Sequence, residues 1–190
     1  MLLKNTALIL IDIQQGFDDA DHWGPRNNPH AETNMAKLLN AWRQANQPVF
    51  HVQHLSKEPQ SPLRPNQAGC EFKPEVQPLP DEPVFQKHVN SGFIGTNLET
   101  ELRSQGIESV VIVGLTTNHC VSTTTRMADN LGFNTFIVED ATATFDLKGH
   151  DGNTYPAAQV HTMALASLHQ EFATVLKTQV VLDQLGVTSV

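Results

Sequence analysis

Short apolar runs of strand length alternate with amphipathic helical segments along almost the whole chain. The runs are ALILID (7–12), PVFHVQ (48–53), PVFQK (83–87), SVVIVG (109–114), NTFIVE (134–139) and FATVL (172–176). Strands that alternate with helices favour a parallel sheet with helices packed on both faces. We therefore predict a three-layer α/β/α, Rossmann-like fold with a mainly parallel central sheet of about six strands. A chain of 190 residues is suited to one such domain, spanning residues 1–190.

The clearest helical pattern lies in residues 31–46. Four large apolar residues recur there at i, i+3, i+4 and i+7, which places them on one face of a helix. They are Met35, Leu38, Leu39 and Trp42. Further helices are predicted at 98–105, 121–131 and 156–170, and a glycine follows each of the first two, as is typical of helix C-termini.

Composition excludes several classes of function. Twelve Lys and Arg residues stand against twenty Asp and Glu, giving a net charge of −8, and no basic cluster is present. Binding to nucleic acid or to an anionic membrane surface depends on such a basic face, so we expect neither partner. No apolar stretch approaches the roughly 20 residues of a membrane span, and the N-terminus has no signal-peptide pattern. We expect a cytoplasmic protein with Cys70 and Cys120 as free thiols.

Three chemically useful side chains stand at or beside the ends of predicted strands. Asp12 closes ALILID, Lys87 closes PVFQK, and Cys120 follows SVVIVG in the stretch GLTTNHCV, where a helix is about to begin. In open parallel sheets, sites form at the carboxyl ends of the strands. The pattern therefore predicts that an acid, an amine and a thiol meet in one crevice.

These three groups fit acyl transfer through a thioester. Only the thiolate of a cysteine is a strong nucleophile, and a helix N-terminus and a nearby ammonium both lower the thiol pKa. We therefore expect a depressed pKa for Cys120, with Lys87 contributing to it. Asp12 would accept the thiol proton and return it to a leaving nitrogen, while backbone N–H groups of the turn bind the oxyanion.

Three segments, LILIDIQQGF, FQKHVNSGFIGTNLE and VIVGLTTNHCVSTTTRMADNLGF, resemble the signatures of the isochorismatase-like cysteine hydrolase superfamily. The resemblance implies a catalytic triad of Asp12, Lys87 and Cys120 and an oxyanion hole formed by the N–H groups of Thr116 and Cys120. It also implies a cis peptide bond between Leu115 and Thr116, and a homo-oligomer, either a dimer or a tetramer. The activity implied is cofactor-independent hydrolysis of an amide, ureide or carbamoyl bond of a small molecule.

Residues near the signature segments are candidates for substrate binding, although aromatic residues near a sheet end are as often part of the core. The candidates are Phe17, Trp23, His54, Phe93, Asn118 and Phe145, with His119 as a weaker one. The segment 55–83 holds seven of the eleven prolines and is long for a connection. We expect it to cover the site or to reach a neighbouring subunit.

We predict that the site holds no metal. The nicotinamidases of the superfamily bind a metal through an Asp-x-His pair, and His54 matches the histidine, but Val52 stands where the acid would be. A zinc-type site needs three or four converging ligands.

Three other functions remain open at this stage. A dinucleotide-binding module fits the fold, but IQQGF after the first strand lacks the Gly-x-Gly-x-x-Gly turn. Superfamily members that cleave the vinyl ether of isochorismate work without the cysteine nucleophile, so Cys120 favours carbon–nitrogen hydrolysis. In the third alternative, a non-catalytic scaffold, Cys120 would be an inert buried thiol.

Overall fold

The computed structural model describes residues 5–186, and strands and helices alternate along them. The elements are β1 (Thr6–Ile11), α1 (Ala20–Trp23), α2 (Ala31–Gln44), β2 (Val49–His54), β3 (Val84–Lys87), α3 (Leu98–Ser104), β4 (Ser109–Leu115), α4 (Ser122–Asn130), β5 (Asn134–Ala143), β6 (Leu147–Lys148), β7 (Thr154–Tyr155), α5 (Ala157–Leu168), β8 (Thr174–Leu176) and α6 (Thr178–Leu185). Among these helices none is both long and apolar enough for a transmembrane segment.

Six strands form one parallel sheet in the order β3-β2-β1-β4-β5-β8. The chain builds the sheet outward from β1 to β3 and then returns to the other side of β1 with β4. The strand order therefore reverses between β1 and β4, and the crevice at such a switch point is where open α/β sheets bind ligands. This arrangement confirms the predicted fold class.

Alternate side chains of the central strand enter two separate cores, as strand geometry requires. Leu8 and Leu10 face the helix α2, whose predicted apolar stripe is fully buried. Ala7, Ile9 and Ile11 face the opposite layer, where α3, α4 and α5 contribute buried residues. Each face of β1 is thus covered, which explains why ALILID is continuously apolar.

Several boundaries differ from the prediction. Within FATVL only residues 174–176 form a strand, β8. Ala173 lies just before this strand and closes the turn after α5, because its N–H donates to Leu168 O. β5 continues to Ala143, beyond the predicted NTFIVE, since a register shift between Ile112 and Gly114 lets the pairing with β4 resume. The helix α6 and the β6–β7 hairpin were not predicted from the sequence.

Gly114 lies where the end of β4 approaches the end of β1. Its φ is 128°, and a Cβ added to it would stand 2.0 Å from the carbonyl oxygen of Ile11. A Gly114→Ala variant is expected to lose more than about 3 kcal/mol of stability, equivalent to roughly 6–12 °C in Tm. Thermal unfolding by circular dichroism measures this.

Gly132→Ala is the matched control for this variant. Gly132 also has a positive φ, 86°, but a Cβ added there would meet no atom within 4 Å. Its substitution carries only the conformational cost of about 1–2 kcal/mol. Equal melting temperatures for the two alanine variants would show that the approach of β4 to Ile11 does not limit this position.

Candidate active site

The carboxyl ends of β1, β3 and β4 meet at one crevice. Asp12 follows the last residue of β1, Lys87 is the last residue of β3, and Cys120 lies in the turn after β4. Lys87 Nζ is 2.5 Å from Asp12 Oδ2. The Cys120 sulfur, a carboxylate oxygen of Asp12 and a ring nitrogen of His54 all lie within 4.8 Å of one another. The structure thus brings together the three residues predicted from the strand ends.

Lys87 and Asp12 form a buried ion pair, with side chains 0% and 1% exposed. His54, at the end of the intervening strand β2, adds a third contact, since its Nδ1 is 3.0 Å from Lys87 Nζ. An ammonium group has only protons to donate, so His54 Nδ1 accepts and the neutral ring carries its proton on Nε2. Burial, reinforced by the Lys87 charge, lowers the pKa of His54 to about 4.

The two oxygens of the Asp12 carboxylate differ in their hydrogen bonding. Oδ2 accepts from Lys87, whereas Oδ1 has no hydrogen-bond partner among residues 5–186. Burial raises the pKa of Asp12 above its ordinary value, although the Lys87 charge opposes the shift. A carboxylate whose pKa is raised, with a free oxygen near a thiol, is suited to accept a proton.

The Cys120 turn begins at a cis peptide bond between Leu115 and Thr116. Residues Thr117–Val121 form one π-helical turn before α4, and the Thr116 carbonyl accepts from the N–H groups of His119 (3.1 Å) and Val121 (3.3 Å). The Thr117 hydroxyl lies 2.9 Å from His161 Nδ1 on α5, which ties the turn to that helix. The two N–H groups predicted to bind an oxyanion, of Thr116 and Cys120, belong to this turn.

The predicted depression of the Cys120 pKa is wrong. Burial raises the pKa of the thiol to about 12, the Asp12 carboxylate adds to the rise, and Lys87 only partly opposes it. A helix N-terminus and an ammonium would favour the thiolate of an isolated cysteine, but here the ammonium is already paired with a carboxylate. The resting thiol is therefore protonated, and its proton must leave as the nucleophile attacks.

A cavity of about 620 Å³ opens onto Asp12, Thr116 and Cys120. Phe17 and Trp23 form an aromatic wall, with ring centroids 4.9 Å apart. Further lining comes from the segment 56–63 and from His54, which lies beside Asp12 and Cys120. Phe17, Trp23 and His54 thus line the cavity, and their contact with substrate stays a prediction.

The proline-rich segment 55–83 is partly cavity wall and partly core. Its first part lines the cavity, while Cys70, Phe72 and Val76 are buried farther along. Lys73, also buried, holds the segment to the domain through Asp18 (2.5 Å) and Glu32 (2.7 Å). The segment thus covers one side of the site, while its predicted contact with a second subunit and the homo-oligomer itself stay predictions.

The structure corrects three predicted substrate contacts, because Phe93, Asn118 and Phe145 do not line this cavity. Phe93 stacks on Phe133 in the core beneath α3, with centroids 6.2 Å apart. Phe145 supports the aromatic wall from behind, 5.5 Å from the Trp23 ring. Asn118 Oδ1 accepts from the Thr144 hydroxyl at 2.5 Å, so its side chain is directed to the residue that follows β5.

Gln14 is a site residue that the sequence interpretation missed. It is fully buried, its Oε1 accepts from the His54 N–H (2.9 Å), and its Nε2 donates to the carbonyls of His54 (3.0 Å) and Cys70 (2.8 Å). Gln14 therefore fixes the end of β2 beside Asp12. The available signal was its position, as a polar residue two places after the strand-end acid.

A metal ion does not fit the residues present. Asp12, His54 and Cys120 offer three donor atoms within 4.8 Å of one another. However, the Lys87 ammonium already contacts Asp12 at 2.5 Å and His54 Nδ1 at 3.0 Å. A cation bound to these donors would face that positive charge at close range. Val52, where an acid was required, is fully buried in the core.

Comparison with known proteins identifies relatives along nearly the whole chain. Residues 6–180 match the Isochorismatase domain family. YrdC of Bacillus subtilis strain 168, an uncharacterized isochorismatase family protein, is 49% identical over 175 residues, covering 92% of this chain and 93% of the relative. Nicotinamidase 3 of Arabidopsis thaliana is 31% identical over 162 residues, covering 78% of each chain.

Solved structures agree with this result. A protein of Chromobacterium violaceum assigned to the isochorismatase family has a TM-score of 0.94 and 45% identity, over 99% of this chain and 97% of that one. A cysteine hydrolase from Pseudomonas syringae pv. phaseolicola has a TM-score of 0.86 and 25% identity, over 96% and 92% of the two chains. Both similarities cover nearly the whole chain.

Proposed function

The chain is a hydrolase of the isochorismatase family, and we propose that it cleaves a carbon–nitrogen bond of a small molecule through a thioester on Cys120. The bond would belong to an amide, ureide or carbamoyl group. The observation that carries the proposal is the position of the Cys120 sulfur, within 4.8 Å of the Asp12 carboxylate, whose Oδ1 has no other hydrogen-bond partner among residues 5–186. Similarity to a nicotinamidase supports the same bond type.

The first half of the reaction forms the thioester. The Cys120 sulfur attacks the carbonyl carbon as its proton passes to Asp12. Because proton transfer accompanies the attack, a thiol with a raised pKa can react without first forming a free thiolate. The carbonyl oxygen becomes an oxyanion, and the N–H groups of Thr116 and Cys120 are proposed to bind it. Asp12 then protonates the nitrogen, the carbon–nitrogen bond breaks, and ammonia or an amine leaves.

The second half hydrolyses the thioester with the same groups. Asp12, again a carboxylate, accepts a proton from water as the water oxygen attacks the acyl carbon. The carbon–sulfur bond then breaks, the sulfur recovers a proton, and the carboxylic acid is released. Lys87 donates from Nζ to Asp12 Oδ2 at 2.5 Å and so holds this carboxyl group in place.

Trapping the acyl-enzyme tests this proposal. A panel of small amides, ureides and carbamoyl compounds is screened for ammonia or amine release, and the reaction is quenched in acid for peptide mass spectrometry. We expect an acyl adduct on the peptide that carries Cys120 and none on the peptide that carries Cys70. Cys120→Ala should release nothing above background.

Isochorismate is assayed in parallel, because the same fold supports vinyl-ether cleavage. If wild type cleaved isochorismate and Cys120→Ala did so equally well, the thioester mechanism would be rejected. Failure of Cys120 to form an adduct with any panel member or with an activated ester would favour a non-catalytic scaffold.

A further inference from the structure

We propose that the cavity selects amides that carry an aromatic or flat apolar group together with a positive charge, and that Glu58 binds that charge. The inference rests on the proposed function and concerns the same cavity. Its basis is the distribution of charge and of aromatic surface on the walls.

The cavity walls lack the permanently charged cationic side chains that would pair with an anionic substrate. No Lys or Arg of the described residues is among those that line the cavity. The Lys87 ammonium below them is paired with Asp12 at 2.5 Å and is fully buried. A substrate carboxylate would therefore lose hydration without gaining a cationic partner.

The histidines next to Cys120 do not supply the positive charge that the cavity lining lacks. His54 receives a hydrogen bond from Lys87, and burial with that charge lowers its pKa to about 4, so its ring is neutral at pH 7. Burial also lowers the pKa of His119. At the mouth, the His22 ring lies against Trp23, with centroids 4.6 Å apart. The base of the cavity next to Cys120 is therefore without a cationic side chain at neutral pH.

Glu58 supplies an uncompensated negative charge at the cavity wall. Its carboxylate forms no ion pair within residues 5–186, and Lys57 and Arg64, its nearest cationic neighbours in sequence, do not line the cavity. Since the Asp12 charge is matched by Lys87, Glu58 is the unmatched acid among the lining residues.

Local hydrogen bonds fix the wall that carries Glu58. The Glu58 N–H donates to Ser56 Oγ (3.2 Å), its carbonyl accepts from the Ser61 N–H (3.1 Å), and Ser56 N–H donates to Leu63 O (3.1 Å). Gly16 lies so close to this wall that a Cβ on it would stand 2.8 Å from Leu63 Cδ2. These contacts hold the backbone of Glu58 in place within the cavity lining.

The aromatic wall favours the same kind of ligand. Phe17 and Trp23 both line the cavity, and the indole Nε1 of Trp23 donates to Gly16 O at 2.7 Å, which fixes its orientation. Phe145 stacks behind both rings. Aromatic faces bind flat apolar groups and attract cations within about 6 Å of the ring centre. Two independent features of the cavity therefore favour a flat, positively charged amide.

Three matched probes test the inference: benzamide, 3-(aminomethyl)benzamide and 3-carboxybenzamide. Their dissociation constants are measured by NMR titration with Cys120→Ala, so that turnover does not enter the result. We expect the ammonium probe to bind at least about fivefold more tightly than the carboxylate probe, with benzamide between them. Added salt should narrow the difference.

Glu58→Gln should reduce the advantage of the ammonium probe over benzamide, and Glu58→Lys should reverse it in favour of the carboxylate probe. Glu75→Gln, which removes an exposed acid outside the cavity, is the matched control and should leave all ratios unchanged. Equal or tighter binding of the carboxylate probe, no binding of any probe, or an unchanged ratio in Glu58→Gln would overturn the inference.

A separate readout distinguishes this failure from failure of the proposed function. Ammonia release and acyl-enzyme formation are measured with wild type on the same three probes. Binding in the expected order without any acyl adduct on Cys120 would reject the hydrolase mechanism alone. Turnover of the carboxylate probe in preference to the ammonium probe would reject the charge selection alone.

Discussion

Asp12→Asn is expected to slow turnover strongly while making the Cys120 thiol more reactive. The asparagine cannot accept the thiol proton, so kcat should fall by about 10²- to 10⁴-fold, the usual contribution of a general base. The carboxylate, however, is one of the groups that raise the Cys120 pKa. Once it is neutral, the thiolate becomes the natural counterion of Lys87, and its population at neutral pH should rise.

Alkylation kinetics measure the expected increase in Cys120 reactivity in Asp12→Asn. The rate of iodoacetamide addition at Cys120 should increase at least about tenfold at pH 7, corresponding to a fall of one pKa unit. Cys70, buried and distant in sequence, is read in the same peptide digest and should be unchanged. If alkylation of Cys120 slowed in Asp12→Asn, the carboxylate would instead be activating the resting thiol, and a preformed thiolate would be the better description.

The wild-type pH profile follows from the same assignment. Asp12 must be ionised to act as a base, and burial raises its pKa above the ordinary value. The value of kcat/KM should therefore fall on the acid side with an apparent pKa above 3.8, and this limb should be absent from the residual activity of Asp12→Asn.

The convergence of Asp12 and Cys120 could be predicted from the sequence because it follows from topology, whereas Lys87 was identified mainly through the resemblance of FQKHVNSGFIGTNLE to a family signature. Apolar runs identify the strands, and parallel strands bring their carboxyl ends to one edge of the sheet. The apolar stripe of α2 was predictable for a similar reason, since helical periodicity depends only on local sequence. These features need no knowledge of side-chain contacts.

The direction of the Cys120 pKa shift could not be predicted in this way. It depends on how deeply the thiol is buried and on Lys87 already being paired with Asp12, and neither is visible in sequence order. Which aromatic residues line the cavity could not be predicted either, because this also depends on side-chain packing. Phe17 and Phe145 lie in one stack, but only Phe17 reaches the cavity. The role that we propose for Glu58 depends on the path of residues 56–63, which no periodicity specifies.

Lys87→Met is expected to destabilise the fold more than any surface charge substitution. It leaves the Asp12 carboxylate buried without a counterion, which costs about 3–5 kcal/mol, or roughly 6–20 °C in Tm. Lys177→Met is the matched control, because the Lys177 side chain is 69% exposed and its ion pair with Glu139 is long, at 3.8 Å. Its effect should stay within about 1 kcal/mol. Thermal unfolding of both variants gives the comparison.

The pH dependence of the Lys87→Met penalty shows whether an unpaired charge causes it. Without Lys87 the folded-state pKa of Asp12 rises further, because the main opposing charge is gone. A raised pKa means that stability is retained at low pH and lost as the pH increases through the folded-state value. The difference in Tm between wild type and Lys87→Met should therefore narrow as the pH is lowered from 8 toward 5.

The double variant Asp12→Asn/Lys87→Met tests whether the two side chains stabilise each other directly. Removing both charges eliminates the uncompensated carboxylate, so the double variant should be more stable than Lys87→Met, although it remains inactive. Such non-additivity is expected only for groups in direct contact. If the two single effects simply added, the 2.5 Å contact would not be an energetic pair. Lys87 would then act on the reaction without securing the position of Asp12.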